Sequence, residues 1–151
     1  MVKPKKNTVK RVINRRAKYD YELDDSLVVG IQLSGPETKA LRSNHAQLTG
    51  AYVALKDNEL WLINAMISAV ANGFVADIDQ TRTRKLLAKR REIEQLKLSK
   101  QKNLSIVPLE FLTSGKYIKL RIAVGRGKKL YDKRQIIKAR EESRRINKEY
   151  K

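Results

Sequence analysis

The sequence predicts a mostly β fold, a small antiparallel barrel, closed or partly open, with two or three helices and a basic C-terminal tail. Three observations predict it. About six short runs carry the period-2 alternation of half-buried strands, turn-forming residues separate most of them, and only two internal stretches carry a helix-start signal or a helical period. The clearest strand sets Ile118, Leu120, Ile122 and Val124 on one face and Lys119 and Arg121 on the other. Barrels of this size often present a face or loops to oligonucleotides. The same strand count also fits an open α+β sheet.

Residues 1–12 are basic and aperiodic and read as a flexible arm. Tyr19, Tyr21 and Leu23 alternate with Asp20, Glu22 and Asp24, and Leu27 to Leu33 forms a second strand run. Ser34-Gly35-Pro36-Glu37 then starts a short helix reaching about Asn44: a cap hydroxyl stands three residues before a glutamate, with Pro in the first turn. The runs 51–55 and 59–63 flank Lys56-Asp57-Asn58 and predict a hairpin, with Trp61 placed in the core. Residues 64–69 predict another strand and 71–80 a loop. Thr83 is expected to cap a helix from Arg84 to about Leu98, with Leu86, Ile93 and Leu96 on one face. Strands follow at 104–112 and 116–124, turning at Thr113-Ser114-Gly115. The division is therefore an arm at 1–12, a barrel at 13–125 and a tail at 126–151. In the tail, Ile136, Ala139, Ile146 and Tyr150 make only a thin apolar stripe, so it is expected to become helical on meeting a polyanion.

Charge points to the partner. The 151-residue chain is formally +18. Residues 1–18 hold eight Lys/Arg and no acid; 82–102 hold nine against Glu92 and Glu94; 125–151 hold eleven against four acids. These segments carry +8, +7 and +7, so the rest of the chain is −4. An ordinary body with three cationic handles suits nucleic acid. The absence of cysteine removes disulfides, thiolate metal sites and thiol nucleophiles, and fits a reducing cytoplasm. A single histidine, His45, cannot form a His-based metal site and reads as a turn residue. No apolar run is long enough to cross a membrane. Neither cofactor nor metal is expected.

Asp20, Asp24, Asp25, Asp77 and Asp79 match no hydrolase or nuclease spacing and read as solvated charge. Gly125-Arg126-Gly127-Lys128 lacks the spacing and hydroxyl of a phosphate loop. Thr81-Arg82-Thr83-Arg84-Lys85 is more informative, because hydroxyls and guanidiniums at a helix start suit phosphate oxygens. A merely capped, solvated helix start fits it equally.

Several segments together resemble the small protein B family, the SsrA-binding proteins of bacterial ribosome rescue. They are Asn14-Arg15-Arg16-Ala17 with Asp20-Tyr21; Gly30-Ile31 through Leu33, Gly35, Glu37, Lys39, Leu41 and Arg42; Asp79 through Leu87 with Arg91-Glu92-Ile93; and Gly127 through Arg134. They occur in order from about Asn14 to the end. The chain departs from the family pattern at Tyr19 (commonly His), at Val28-Val29 (commonly Glu-Ala) and at Gln80 (commonly Pro).

The resemblance implies an oligonucleotide-binding-type barrel without catalytic activity. It implies binding to the tRNA-like part of transfer-messenger RNA and delivery to the empty A site of a stalled ribosome, with elongation factor Tu as a partner through the charged RNA. The tail would lie along the vacant mRNA channel, against ribosomal RNA of that channel and the decoding centre. Membrane and DNA are not implied as partners, and a monomer is expected. On this basis Asn14, Arg15, Arg16, Lys39, Arg42, Thr81, Arg82, Thr83, Arg84 and Lys85 are assigned to transfer-messenger RNA. Gly127, Lys128, Lys129, Tyr131, Asp132, Lys133 and Arg134 are assigned to the ribosome, with Asp132 capping a tail helix and Gly125 and Gly127 as its hinge. Glu37 is expected to order its own helix. The rival readings are a general ribosomal-RNA or tRNA-binding protein of the same fold, and an RNA-processing enzyme using Asp77 or Asp79.

Overall fold

The computed structural model describes residues 11–71, 74–75 and 79–149, with backbone alone at 70, 71, 74 and 75. Residues 1–10 of the expected arm, residues 72–73 and 76–78 of the expected 71–80 loop (Asp77 among them) and Tyr150 lie outside the described residues, while residues 71, 74 and 75 of that loop are strand instead. One helical turn, α1 (Ala17–Asp20), leads into β1 (Tyr21–Ile31), followed by α2 (Gly35–Arg42) and β2 (Ala46–Gln47). Then come β3 (Tyr52–Lys56), β4 (Glu59–Ile63), β5 (Met66–Ile67), β6 (Val70–Ala71), β7 (Phe74–Val75) and β8 (Arg84–Leu87). The chain finishes with α3 (Arg90–Gln101), β9 (Ser105–Leu112), β10 (Lys119–Gly127) and α4 (Leu130–Glu149).

The sheet is a closed antiparallel barrel in the order β1-β10-β9-β3-β4-β8, which decides against the open sheet. The β2–β5 and β6–β7 pairs form two small ribbons outside it. Alternation places Val29, Ile31, Leu60, Leu62, Leu120 and Ile122 in the interior. Burying such a side chain contributes roughly 1.5–3 kcal/mol, so the interior rather than strand propensity selects the register. The β3–β4 hairpin turns on Asp57 and Asn58, both at positive φ, as a two-residue turn matching strand twist requires. The two runs read at 19–23 and 27–33 belong to one strand, whose register slips between Leu23 and Ser26.

Two expectations are corrected. The helix expected from Arg84 begins instead at Arg90. Residues 84–87 are the strand that closes the barrel, with Leu62 opposite Arg84, Leu60 opposite Leu86 and Gly30 opposite Leu87. Tertiary pairing overrides the helical propensity of the local residues. Trp61 is not in the core: Leu60 and Leu62 take the inward positions, so Trp61 lies half-buried on the outer face. The tail is a twenty-residue helix in this structure, with no residue buried. At its start the Lys129 N–H donates to Asp132 Oδ2 at 3.3 Å, as expected of Asp132.

Val12 is buried, and its carbonyl accepts the Phe111 N–H at 3.0 Å, so residues 11–12 lie with the barrel rather than with a free arm. Gly127 is still paired with Tyr21. A Cβ on Gly125 would meet Glu22 O at 2.9 Å, which makes Gly125 a close-packing glycine and not a hinge.

Candidate nucleic-acid interface

Glu37 organises the predicted phosphate loop. Ser34 and Glu37 form the predicted capping box: the Ser34 N–H donates to Glu37 Oε2 at 2.9 Å, and the Glu37 N–H donates to Ser34 Oγ at 3.4 Å. The same carboxylate, wholly buried, receives two arginines, one from the turn before β8 and one from the first residue of β8. Arg82 donates through Nε to Oε1 at 2.8 Å and through Nη2 to Oε2 at 2.6 Å. Arg84 donates through Nε to Oε1 at 3.0 Å. Burial alone would raise the Glu37 carboxyl, but the hydrogen bonds from Arg82, Ser34 and Arg84 outweigh it and hold it at about 2. The bond to Glu37 raises Arg82, whereas burial pushes Arg84 down.

The two arginines have different fates. Arg82 keeps a side-chain exposure of 36%, while Arg84 is sealed at 0%. The Arg84 guanidinium also donates to Ala65 O, Arg82 O and Gln80 O. With no surface left, Arg84 cannot touch a phosphate in this arrangement, and its assignment to RNA gives way to a structural one. Asp79 shapes the adjoining turn, accepting from the Thr81 N–H and hydroxyl at 3.0 Å each. Thr81 and Thr83 are exposed there, and Lys39 is exposed on α2. Because β8 and not a helix follows Thr83, helix-terminus amides do not contribute to the loop.

Lys85 projects outward from β8 over Trp61, 6.0 Å from the ring centroid, and pairs with Glu59 at 2.6 Å. An indole under a lysine on the outer barrel wall offers both a stacking surface and a charge. Sequence reasoning missed this use of Trp61, which the inward places of its neighbours Leu60 and Leu62 reveal. Arg42 is committed elsewhere: it donates to the carbonyls of Thr113, Gly115 and Lys116 at 2.9–3.1 Å and pins that turn.

A second cluster forms where the chain enters and leaves the barrel. Asn14 is buried, its Nδ2 donating to Pro108 O at 3.0 Å, so it anchors the N-terminal segment on β9. Arg15 and Arg16 are exposed after it. Lys128 and Lys133 approach α1 from the tail, whereas Lys129, Tyr131 and Arg134 are exposed. The structure thus brings Arg82 and Arg84 together on Glu37, and Arg16 with Lys128 and Lys133 around Asp20.

A closed β-barrel with a braced cationic loop, an outer lysine–tryptophan pair and a long basic helix defines a polyanion-binding barrel protein. The chain belongs to the SmpB family, whose model, described as SmpB protein, matches residues 11–151. It is 44% identical over 142 residues to the SsrA-binding protein of Synechococcus sp. (strain JA-3-3Ab), covering 93% of this chain and 92% of the relative. The SsrA-binding protein of Mesoplasma florum is 43% identical over 142 residues, covering 92% and 95%. A solved structure described as "tmRNA-SmpB: a journey to the center of the bacterial ribosome" superposes with a TM-score of 0.66 at 37% identity, covering 80% of this chain and 85% of that one.

Proposed function

We propose that this protein binds the tRNA-like domain of transfer-messenger RNA and delivers it to the A site of stalled ribosomes, its tail sensing an empty mRNA channel. The observation that carries this reading is likeness along the whole chain, 44% identity over 93% of it, to an SsrA-binding protein. The geometry supports it. Lys39 is exposed on α2, Arg82 and Lys85 are partly exposed before and in β8, and the basic helix follows β10. Neutralising phosphates with such side chains releases counterions and makes affinity fall with salt. We assign Lys129, Tyr131 and Arg134, the exposed residues of the first tail turns, to ribosomal RNA. Elongation factor Tu enters as an indirect partner through the charged RNA.

The protein acts by binding, not catalysis, and works in the cytoplasm as a monomer. Asp79 serves the Thr81 turn and Asp20 the base of the tail, leaving neither poised for acid–base work. Among the described residues no helix is long and apolar enough to cross a membrane. The test is a competition at fixed salt between labelled transfer-messenger RNA and excess ordinary tRNA. Retention of the labelled complex is expected. Equal displacement by tRNA would hand the lead to a general RNA-binding role.

A further inference from the structure

We infer that Tyr117, on the turn between β9 and β10, is a stacking site for an unpaired RNA base, and that Arg42 is the positioning residue that holds it there. A lone exposed tyrosine is ordinary on a protein surface; what sets Tyr117 apart is its mounting. Its side chain is 71% exposed, more than any other described aromatic. Yet it stands on a turn held from both sides. Before it, the Arg42 guanidinium reaches from α2 to three main-chain carbonyls, donating through Nη1 to Thr113 O at 2.9 Å and through Nη2 to Gly115 O at 3.1 Å and Lys116 O at 3.0 Å. After it, Ile118 is buried in the core. The ring is therefore carried outward on a backbone fixed at both of its neighbours.

Charge identifies the partner. Lys116 Nζ lies 5.5 Å from the Tyr117 ring centroid, and Lys119 is exposed two residues beyond the ring. The sequence holds no acid from Phe111 to Tyr131. Among the described residues none of Arg42, Lys116 and Lys119 forms an ion pair. An outward ring with unpaired lysines beside it suits a base stacked on the ring and a phosphate on the ammonium groups. Every base offers a π-face, so such a contact adds affinity without selecting a sequence. Arg42 acts through the turn, because its donors are committed to carbonyls. It orders the ring before RNA arrives, which lowers the entropy lost on binding. The inference deepens the proposed function and rests on RNA binding by this chain.

The test measures the affinity of the full chain for labelled transfer-messenger RNA, and for labelled tRNA, across a series of salt concentrations. Tyr117→Ala should weaken binding by roughly five- to 150-fold with the salt slope unchanged, since stacking releases no counterion. Tyr117→Phe, which keeps the ring, should recover most of that loss. Lys116→Ala should instead lower the slope by about 1. Arg42→Lys keeps the charge but loses the planar fork. It should weaken binding by itself and add nothing in a Tyr117→Ala chain. A second readout comes from Tyr117→Trp combined with Trp61→Phe, which puts the only indole of the chain on the turn. RNA should quench its fluorescence, and this reads the stack even if another variant folds poorly. Unchanged affinity in Tyr117→Ala, or an indole that RNA leaves unquenched, would overturn the stacking site. Additive losses in the Arg42→Lys, Tyr117→Ala chain would overturn the role of Arg42. Displacement of transfer-messenger RNA by tRNA from the unaltered chain would sink the proposed function alone, because Tyr117→Ala would still weaken the binding of both RNAs.

Discussion

Arg84 Nη2 and Glu37 Oε1 lie 2.8 Å apart with both side chains at 0% exposure, so the barrel carries a charge pair sealed from water. Desolvating two ions costs more than Coulomb attraction alone returns, and such a pair persists only when the other donors and acceptors are satisfied. Here they are, by Ser34, Arg82, Ala65 and Gln80.

Removing one partner therefore leaves an uncompensated buried charge. Glu37→Ala should cost about 3–5 kcal/mol, read as a fall in the urea midpoint with the slope unchanged. Arg84→Ala should cost a similar amount and weaken RNA binding only through stability. A loss below about 1 kcal/mol in either variant would mean that the interior tolerates the bare ion.

Acid should find the same pair. The Glu37 carboxyl sits at about 2 in the fold against an ordinary 4.5, so the folded state binds fewer protons between these values. Its contribution, on the order of 3 kcal/mol, is fully present above about pH 5 and is lost as pH falls through the folded value. Unfolding free energy measured from pH 6 to pH 2 should drop over that window and drop less in Glu37→Gln. Parallel curves would show that Glu37 is not the group being titrated.

At the loop, Arg82→Ala should weaken RNA binding and reduce the slope of log affinity against log salt by about 1. Lys85→Ala should likewise weaken binding and reduce the slope by about 1. Binding isotherms at four or five salt concentrations decide this, and an unchanged slope in Arg82→Ala removes the loop from the interface.

The two tail-side glycines should separate cleanly. Gly125→Ala drives a Cβ against Glu22 O at 2.9 Å and Leu23 Cδ2 at 3.0 Å and should cost about 1–3 kcal/mol. Gly127→Ala meets nothing and should stay within about 0.5 kcal/mol. Thermal melting of the two variants checks the ordering.

Ending the chain after Gly127 should preserve transfer-messenger RNA binding and abolish tagging on stalled ribosomes. Loss of RNA binding by the truncated chain would show that body and tail do not divide the work.

Signals confined to neighbouring residues were legible. The Ser34–Glu37 box, the Asp57-Asn58 turn and the alternation of β10 are written within a few positions, and the structure contains all three. What escaped depends on distant partners. Arg84 reads as the first residue of a helix and a phosphate ligand, and nothing near it shows that Glu37, across the fold, makes an inward place in a strand tolerable. In the run 59–63 Glu59 shares a face with Trp61 and is the one local mark of its outward side, outweighed by the tryptophan's size and apolarity. At the base of the tail, the Lys133–Asp20 contact joins opposite ends of the chain, beyond any local signal.

Barrel closure itself is uneven. β1 meets β10 along most of its length, yet meets β8 only at Gly30–Leu87 and Ile31–Leu86. β3 meets β9 more briefly still, at Val53–Ile106, and local opening begins where the fewest cross-strand bonds must break together. The β8 closure has a brace that its short pairing does not supply: Arg84 stands in β8 itself and is bonded to Glu37 of α2. A cylinder with two short joins is thus riveted at one of them by a buried ion pair.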